Sequence, residues 1–228
     1  ASAPTLRGQL ASIGQGVRGR GRALVTVGFA ILVLQLLRSS RNIVLPLWGD
    51  ELGLSATLIG SVMSRAAGLE LALFAPSGII MDRAGRRIAA GLCIGIFSAG
   101  VLFLGFTTGS AGFVIASLLI GLGNGFGAGI NMTIGTDLAP SRAVSEFLGL
   151  WRLVGDAGTA AGPSVVGAIA TAGGLPTAVF ATAAMGFAGL VMLLFGPETL
   201  RLARATGEAD EDGSGGGTDT SAPGTPSG

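Results

Sequence analysis

The chain has 228 residues, 49% hydrophobic and only 12% charged, with 14 basic against 13 acidic residues, no histidine and a single cysteine. A mean hydropathy of +0.69 is not that of a soluble domain of this size, which needs a polar exterior. An intrachain disulfide and a His/Cys metal centre are excluded, no cofactor is expected, and nucleic acid is not an expected partner.

Residues 1–22 carry Arg7, Arg18, Arg20 and Arg22 and no acid. They read as a basic cytoplasmic linker, because the apolar stretch that follows runs on to Trp48 without a small-residue cleavage site. Six apolar segments come next, at 23–48, 56–81, 88–106, 111–135, 147–170 and 176–195. Each is long enough to cross ~30 Å of hydrocarbon at ~1.5 Å per residue. Residues 23–200 are therefore expected to form an all-α, polytopic bundle of six transmembrane helices in the lipid bilayer. The 41 glycines follow no collagen period and fall mostly within the spans, where small residues let helix backbones approach. Gly121, Gly123, Gly125, Gly127 and Gly129 of span four read as such a packing surface. A nucleotide loop would need a strand before them and a Lys-Ser/Thr after, and neither is there. Cys93 in span three reads as a small buried hydrophobe. Residues 201–228 are acidic and rich in Gly, Ser, Thr and Pro, the composition of a disordered cytoplasmic tail. The lack of an initiating Met fits a piece of something longer.

Arginine placement predicts the orientation. Arg residues precede span one and follow spans two, four and six, whereas the stretches 49–55, 107–110 and 171–175 contain no basic residue. The positive-inside rule then puts both termini in the cytoplasm. Trp48 and Trp151 fall near span ends, where an amphipathic ring favours the membrane interface.

Polar residues within the spans carry the functional argument, since each is costly unless paired or facing a wet cavity. Gln35, Arg38 and Asn42 recur at helical spacing in span one, with Arg41 close to the same face, and form one polar stripe. Arg65 and Glu70 in span two lie five residues apart on different faces, so their partners must sit on other helices. Arg152 and Asp156 of span five are i,i+4 neighbours able to pair locally. Span four adds Asn124, Asn131 and Thr133, while spans three and six carry no charge. Spans three and six thus read as lipid-facing supports, and the other four enclose something polar. Four arginines against two acids leave an excess of two positive charges, to be offset by water, another segment or an anionic ligand.

Between spans two and three the chain reads GIIMDRAGRR. Asp82 is placed to meet the positive N-terminus of a neighbouring helix, and Arg86 and Arg87 have candidate partners in Asp137, Glu146 and Glu198. This segment resembles the loop motif of the major facilitator superfamily, GxxxDRxGRR, through Gly78, Asp82, Arg83, Gly85, Arg86 and Arg87. Gly162-Pro163 in span five and Pro197-Glu198-Thr199 after span six are weaker echoes of the same family. The resemblance implies one six-helix half, itself a 3+3 repeat, of a twelve-helix secondary transporter, with the loop as a latch on its alternating-access cycle. Span four lacks the Arg that commonly precedes a Gly-x-Gly in the family's first half, which points to the C-terminal half.

On that resemblance the expected function is proton-coupled efflux of drug-like or metabolic compounds at the cell membrane, with a missing N-terminal half as partner. Without histidine, Glu70 or Asp156 would carry the coupling proton. Transport of an organic anion or a sugar is the alternative within the class. A transport-inactive scaffold, or a membrane-embedded enzyme, is the alternative outside it, although an enzyme would be expected to cluster acids at a cytoplasmic helix end, where only Asp82 stands.

Overall fold

The computed structural model describes residues 21–127, 129–139 and 144–195, and within them every regular element is an α-helix. Span one is α1, Gly21–Glu51. Span two is α2, Ala56–Ala72, and α3, Phe74–Arg83. Span three is α4, Arg86–Leu104. Span four is α5, Ser110–Phe126, and α6, Ile130–Leu138. The last helix, α7, runs Val144–Leu194. The linker, the tail, Arg142 and the segment with Glu198 lie outside the described residues.

Two spans expected to be continuous are broken, each for a local chemical reason. The axes of α2 and α3 differ by 43°. Pro76 has no N–H to give the carbonyl of Ala72, and its ring crowds that turn. The chain recovers at once, with Ser77 N–H donating to Leu73 O at 2.9 Å. In span four the helix stops at Phe126 and restarts at Ile130, with Gly129 at φ 75° in the left-handed region where a side chain is strained. The glycines there do pack as expected, a Cβ on Gly121 coming within 2.7 Å of Ala66 O, but they also end the helix.

Spans five and six are the two arms of α7, whose 51 residues would reach ~76 Å if straight, more than two hydrocarbon thicknesses. Helical conformation fails only at Gly174, φ 83° and ψ 164°, so the loop expected at 171–175 shrinks to one residue ahead of Pro176. Packing shows that the chain reverses there. Gly28 faces Trp151, and Leu32 and Leu36 face Gly158 and Gly162, so the first arm runs parallel to α1. Leu37 faces Gly186 and Val33 faces Gly189, so the second arm runs antiparallel to it. The same logic makes α4 antiparallel to α5, through Phe97 with Gly123 and Gly100 with Ile120, and makes α2 parallel to α5. Among the described residues four helices are long and apolar enough to cross a membrane, the bent pair makes a fifth crossing, and the folded-back α7 supplies two of the resulting six.

Phe97, Phe113, Ile120, Leu34 and Leu37 are fully buried where spans one, three, four and six meet. With lipid as apolar as leucine, close packing and dispersion hold such helices together. Span three therefore does more than face lipid, since one face is core while Ile88, Leu92 and Phe103 on the other are exposed. The tryptophans are not interfacial rings either. Trp48 is buried with its Nε1 donating to Thr107 Oγ1 at 2.9 Å, and Trp151 is buried against Asn131.

Candidate functional site

Span one's polar stripe meets spans two and four at a chamber of about 480 Å³, lined by Arg38, Arg41, Ala67, Glu70, Leu71, Phe74, Asn124 and Gly129. The break in span four makes it possible. An α-helix leaves its last carbonyls unbonded and carries partial negative charge there. Arg38 Nη2 donates to Gly127 O at 2.7 Å and to Asn124 O at 3.4 Å, capping that end, while Nη1 donates to Gln35 Oε1 at 3.2 Å. The Cys93 thiol lies beside the same guanidinium, since a Cβ on Gly127 would meet both. Main-chain carbonyls thus serve as Arg38's partners where no carboxylate is available.

Glu70 finds its partners on other helices, as its lone position in span two requires. Arg41 Nη1 lies 2.9 Å from Glu70 Oε2, and Asn124 Nδ2 donates to Glu70 Oε1. The pair's side chains are 20% and 29% exposed, too wet for a dry-interior Coulomb energy yet sheltered enough to hold one geometry. A second chamber of about 300 Å³, lined by Arg41, Asn42, Leu45, Met63, Ala67 and Ser117 among others, adjoins the first. Two guanidiniums against one carboxylate leave the site with one unneutralised positive charge, on Arg38.

The remaining stripe and span-five residues gather elsewhere or stay apart. Gln35 and Asn131 approach each other across Gly155, where a side chain would crowd Asn131 Nδ2 at 3.1 Å. Asn131 also accepts from Trp151 Nε1 through both its backbone and side-chain oxygens at 2.9 Å. Arg65 is exposed with no partner among the described residues. Arg152 and Asp156 are exposed and form no ion pair with each other, despite their spacing. An exposed i,i+4 pair gains only ~0.3–0.5 kcal/mol, little against the entropy of fixing two side chains.

The loop motif builds a second cluster at one end of the bundle. Gly85, φ 103° and ψ 155°, is the N-cap of α4 in a region open essentially to glycine alone. Arg86, one residue on, donates from Nη1 to Met81 O at 2.7 Å and to Asp82 Oδ1 at 3.1 Å, and from Nε to Asp137 Oδ2 at 3.1 Å. Arg87 Nη2 donates to Leu194 O. Two adjacent arginines therefore tie the start of span three to the ends of spans two, four and six. Asp82, 74% exposed, meets the Arg86 side chain in the first turn of α4. Arg83 and Glu146 are exposed and have no partner among the described residues.

Gly78 and Gly85 should respond differently to alanine. Nothing lies within 4 Å of a Cβ at Gly78, which sits inside α3, so Gly78→Ala should leave the isolated chain's stability unchanged or raise it by up to ~1 kcal/mol. Gly85→Ala should cost ~1–3 kcal/mol. Thermal unfolding of the two variants in detergent checks this, and equal midpoints would contradict the backbone argument.

No curated protein matches the chain. The family model of the Major Facilitator Superfamily matches residues 27–222, most of its length, so the chain belongs to that superfamily of membrane transporters.

Proposed function

We propose that the chain is the C-terminal six-helix half of a secondary active transporter, which moves a small solute by alternating access and draws its energy from a proton gradient. The observation that carries this is the pair of adjoining chambers along spans one, two and four, holding an Arg-Glu-Asn cluster within a largely apolar bundle. Such groups inside a membrane are expensive and mark solute or proton paths. A catalytic role would need reactive groups poised on a substrate, and the family consists of transporters.

The missing partner is a second six-helix bundle. Leu150 and Leu153 are exposed on span five, and Gly60, Gly68 and Gly149 on spans two and five have open space above them. Small and large residues interspersed in this way suit close packing by another bundle. The arginine pattern supports cytoplasmic termini at the cell membrane, with the loop cluster on the inner side.

The loop motif and the span-five segment FLGLWRLVGDAGTAAGP support proton-coupled efflux of drug-like or metabolic compounds. Transport of an organic anion is the second reading, favoured by Arg38, whose charge has main-chain and amide partners but no carboxylate. Proteoliposomes holding the complete transporter, given a pH gradient and no ATP, test the proposal with ethidium and benzoate as probes. Accumulation of one of them that collapses with a protonophore is expected, and none is expected with this chain alone. Accumulation indifferent to the proton gradient, or driven by the chain alone, would overturn it. Asp82→Asn in the same system should slow turnover several-fold while leaving half-saturation nearly unchanged, since the loop lies away from the chambers.

A further inference from the structure

In a continuous helix the carbonyl of Gly127 would accept from the N–H of Asn131, four residues on. In span four it accepts instead from Ile130 N–H at 3.2 Å and from Arg38 Nη2 of span one at 2.7 Å. Gly127 N–H to Asn124 O at 3.0 Å and Met132 N–H to Gly129 O at 3.1 Å are tight three-residue bonds of the same kind. The break is thus held by short turns and by a side chain from another helix. Nothing lies within 4 Å of a Cβ at Gly129, so its left-handed φ of 75° is not imposed by crowding there. The broken state also leaves a donor and an acceptor stranded. Arg38 Nε and Asn124 Oδ1, on residues already in contact, are both buried and both without a hydrogen-bond partner.

We propose that span four is a two-state helix and that Arg38 is the positioning residue that holds it broken, standing in at Gly127 O for the main-chain N–H that a continuous helix supplies. In the second state Asn131 N–H takes Gly127 O and Gly129 turns to a right-handed φ. Arg38, released from the carbonyl, then pairs its Nε with Asn124 Oδ1, while Asn124 Nδ2 stays on Glu70. Each state gives up something the other has. The broken one strands two polar atoms and keeps a glycine left-handed, and the straight one loses two charge-assisted bonds from Arg38 to main-chain oxygens.

The short helix α6 carries this choice to the other end of the bundle. Asp137 lies eight residues beyond Gly129, ~12 Å along α6, and its Oδ2 accepts from Arg86 Nε at 3.1 Å. Straightening at Gly129 therefore displaces Asp137 from Arg86. Arg38 and Gly129 both line the larger chamber, so chamber and loop cluster are joined through one hinge. The inference rests on that chamber being the solute path: a solute group that accepts from Arg38 draws it off Gly127 O and shifts span four toward the straight state, by the difference in its contacts with the two states.

The test is hydrogen–deuterium exchange, read by mass spectrometry on the full chain in lipid nanodiscs with no solute and no gradient. Arg38→Met should slow exchange over residues 127–133 by ~5-fold or more, about what one net backbone hydrogen bond contributes. A residue that merely holds the bundle together gives the opposite sign, because its loss speeds exchange. Gly129→Ala opposes the break through φ alone and should slow the same amides. The double variant should be little slower than either single one, since both select the same state. Arg38→Lys keeps a cation that can reach Gly127 O and should exchange as the unaltered chain does. Over residues 81–87, where Arg86 loses Asp137, Arg38→Met and Gly129→Ala should both speed exchange. Faster or unchanged exchange over 127–133 in Arg38→Met, full additivity in the double variant, or indifference of 81–87 would each overturn the proposal. Should Arg38→Met not fold, Gly129→Ala decides alone by the same two signs. Gradient-driven transport would stand through any of those failures, and its absence would leave these exchange rates as they are, because nothing in the measurement depends on solute movement.

Discussion

Gly158→Val will cost the chain its folded state, whereas Gly167→Val, on the same arm of α7, will not. A Cβ at 158 would run into the carbonyl oxygen of Leu32 and lie 3.2 Å from the Gln35 Cβ. Leu32 O belongs to the backbone of a helix held on both flanks, so it has no rotamer by which to give way. Overpacking of a tight core costs ~1–3 kcal/mol even where side chains can shift, and here the upper end or beyond is expected. At Gly167 nothing lies within 4 Å, and the change should stay within ~0.5 kcal/mol. Monodisperse yield from detergent and the thermal midpoint by circular dichroism check the pair. Equal behaviour would mean that spans one and five do not meet in the register described.

Glu70→Gln in the complete transporter should abolish gradient-driven accumulation by ten-fold or more while leaving solute exchange in place. The amide keeps the size of the carboxylate and an oxygen for Arg41, but it holds no proton and no charge. On the proposed coupling, energy from a proton gradient then has nowhere to enter. Asp156→Asn should be close to silent, because Asp156 is exposed and paired with nothing among the described residues. The double variant Arg152→Gln, Asp156→Asn should likewise accumulate solute normally. Equal damage from Glu70→Gln and Asp156→Asn would move the coupling role away from the chamber.

Much of this fold is legible because membrane burial is written residue by residue. Six apolar stretches, an arginine-rich loop and the glycine at 85 each have a local physical reason that sequence displays. The two broken spans were harder to see. Pro76 sits in an uninterrupted apolar run, and its effect depends on a carbonyl four residues earlier; the glycines at 127 and 129 look the same whether they pack a helix or end it. Helical spacing also places a residue on a face without saying which helix that face meets. It could send Glu70 to another helix, but the choice of Arg41 and Asn124 depends on how spans one, two and four pack. Arg38 was least predictable, since its partners are the carbonyls of Asn124 and Gly127, and main-chain atoms carry no signature in a sequence. Trp48 and Trp151 misled for the opposite reason: rings near span ends suit an interface, yet Thr107 and Asn131 give their N–H groups buried partners.

The most direct measurement of the central claim follows protons and solute together in proteoliposomes of the complete transporter, with no gradient imposed. Adding the accumulated probe to one side should move protons in step with it, as read by an enclosed pH dye, and in Glu70→Gln the probe should exchange with no proton movement. Proton movement undiminished in Glu70→Gln, or solute movement without protons in the unaltered protein, would contradict a proton-coupled carrier that works through this carboxylate.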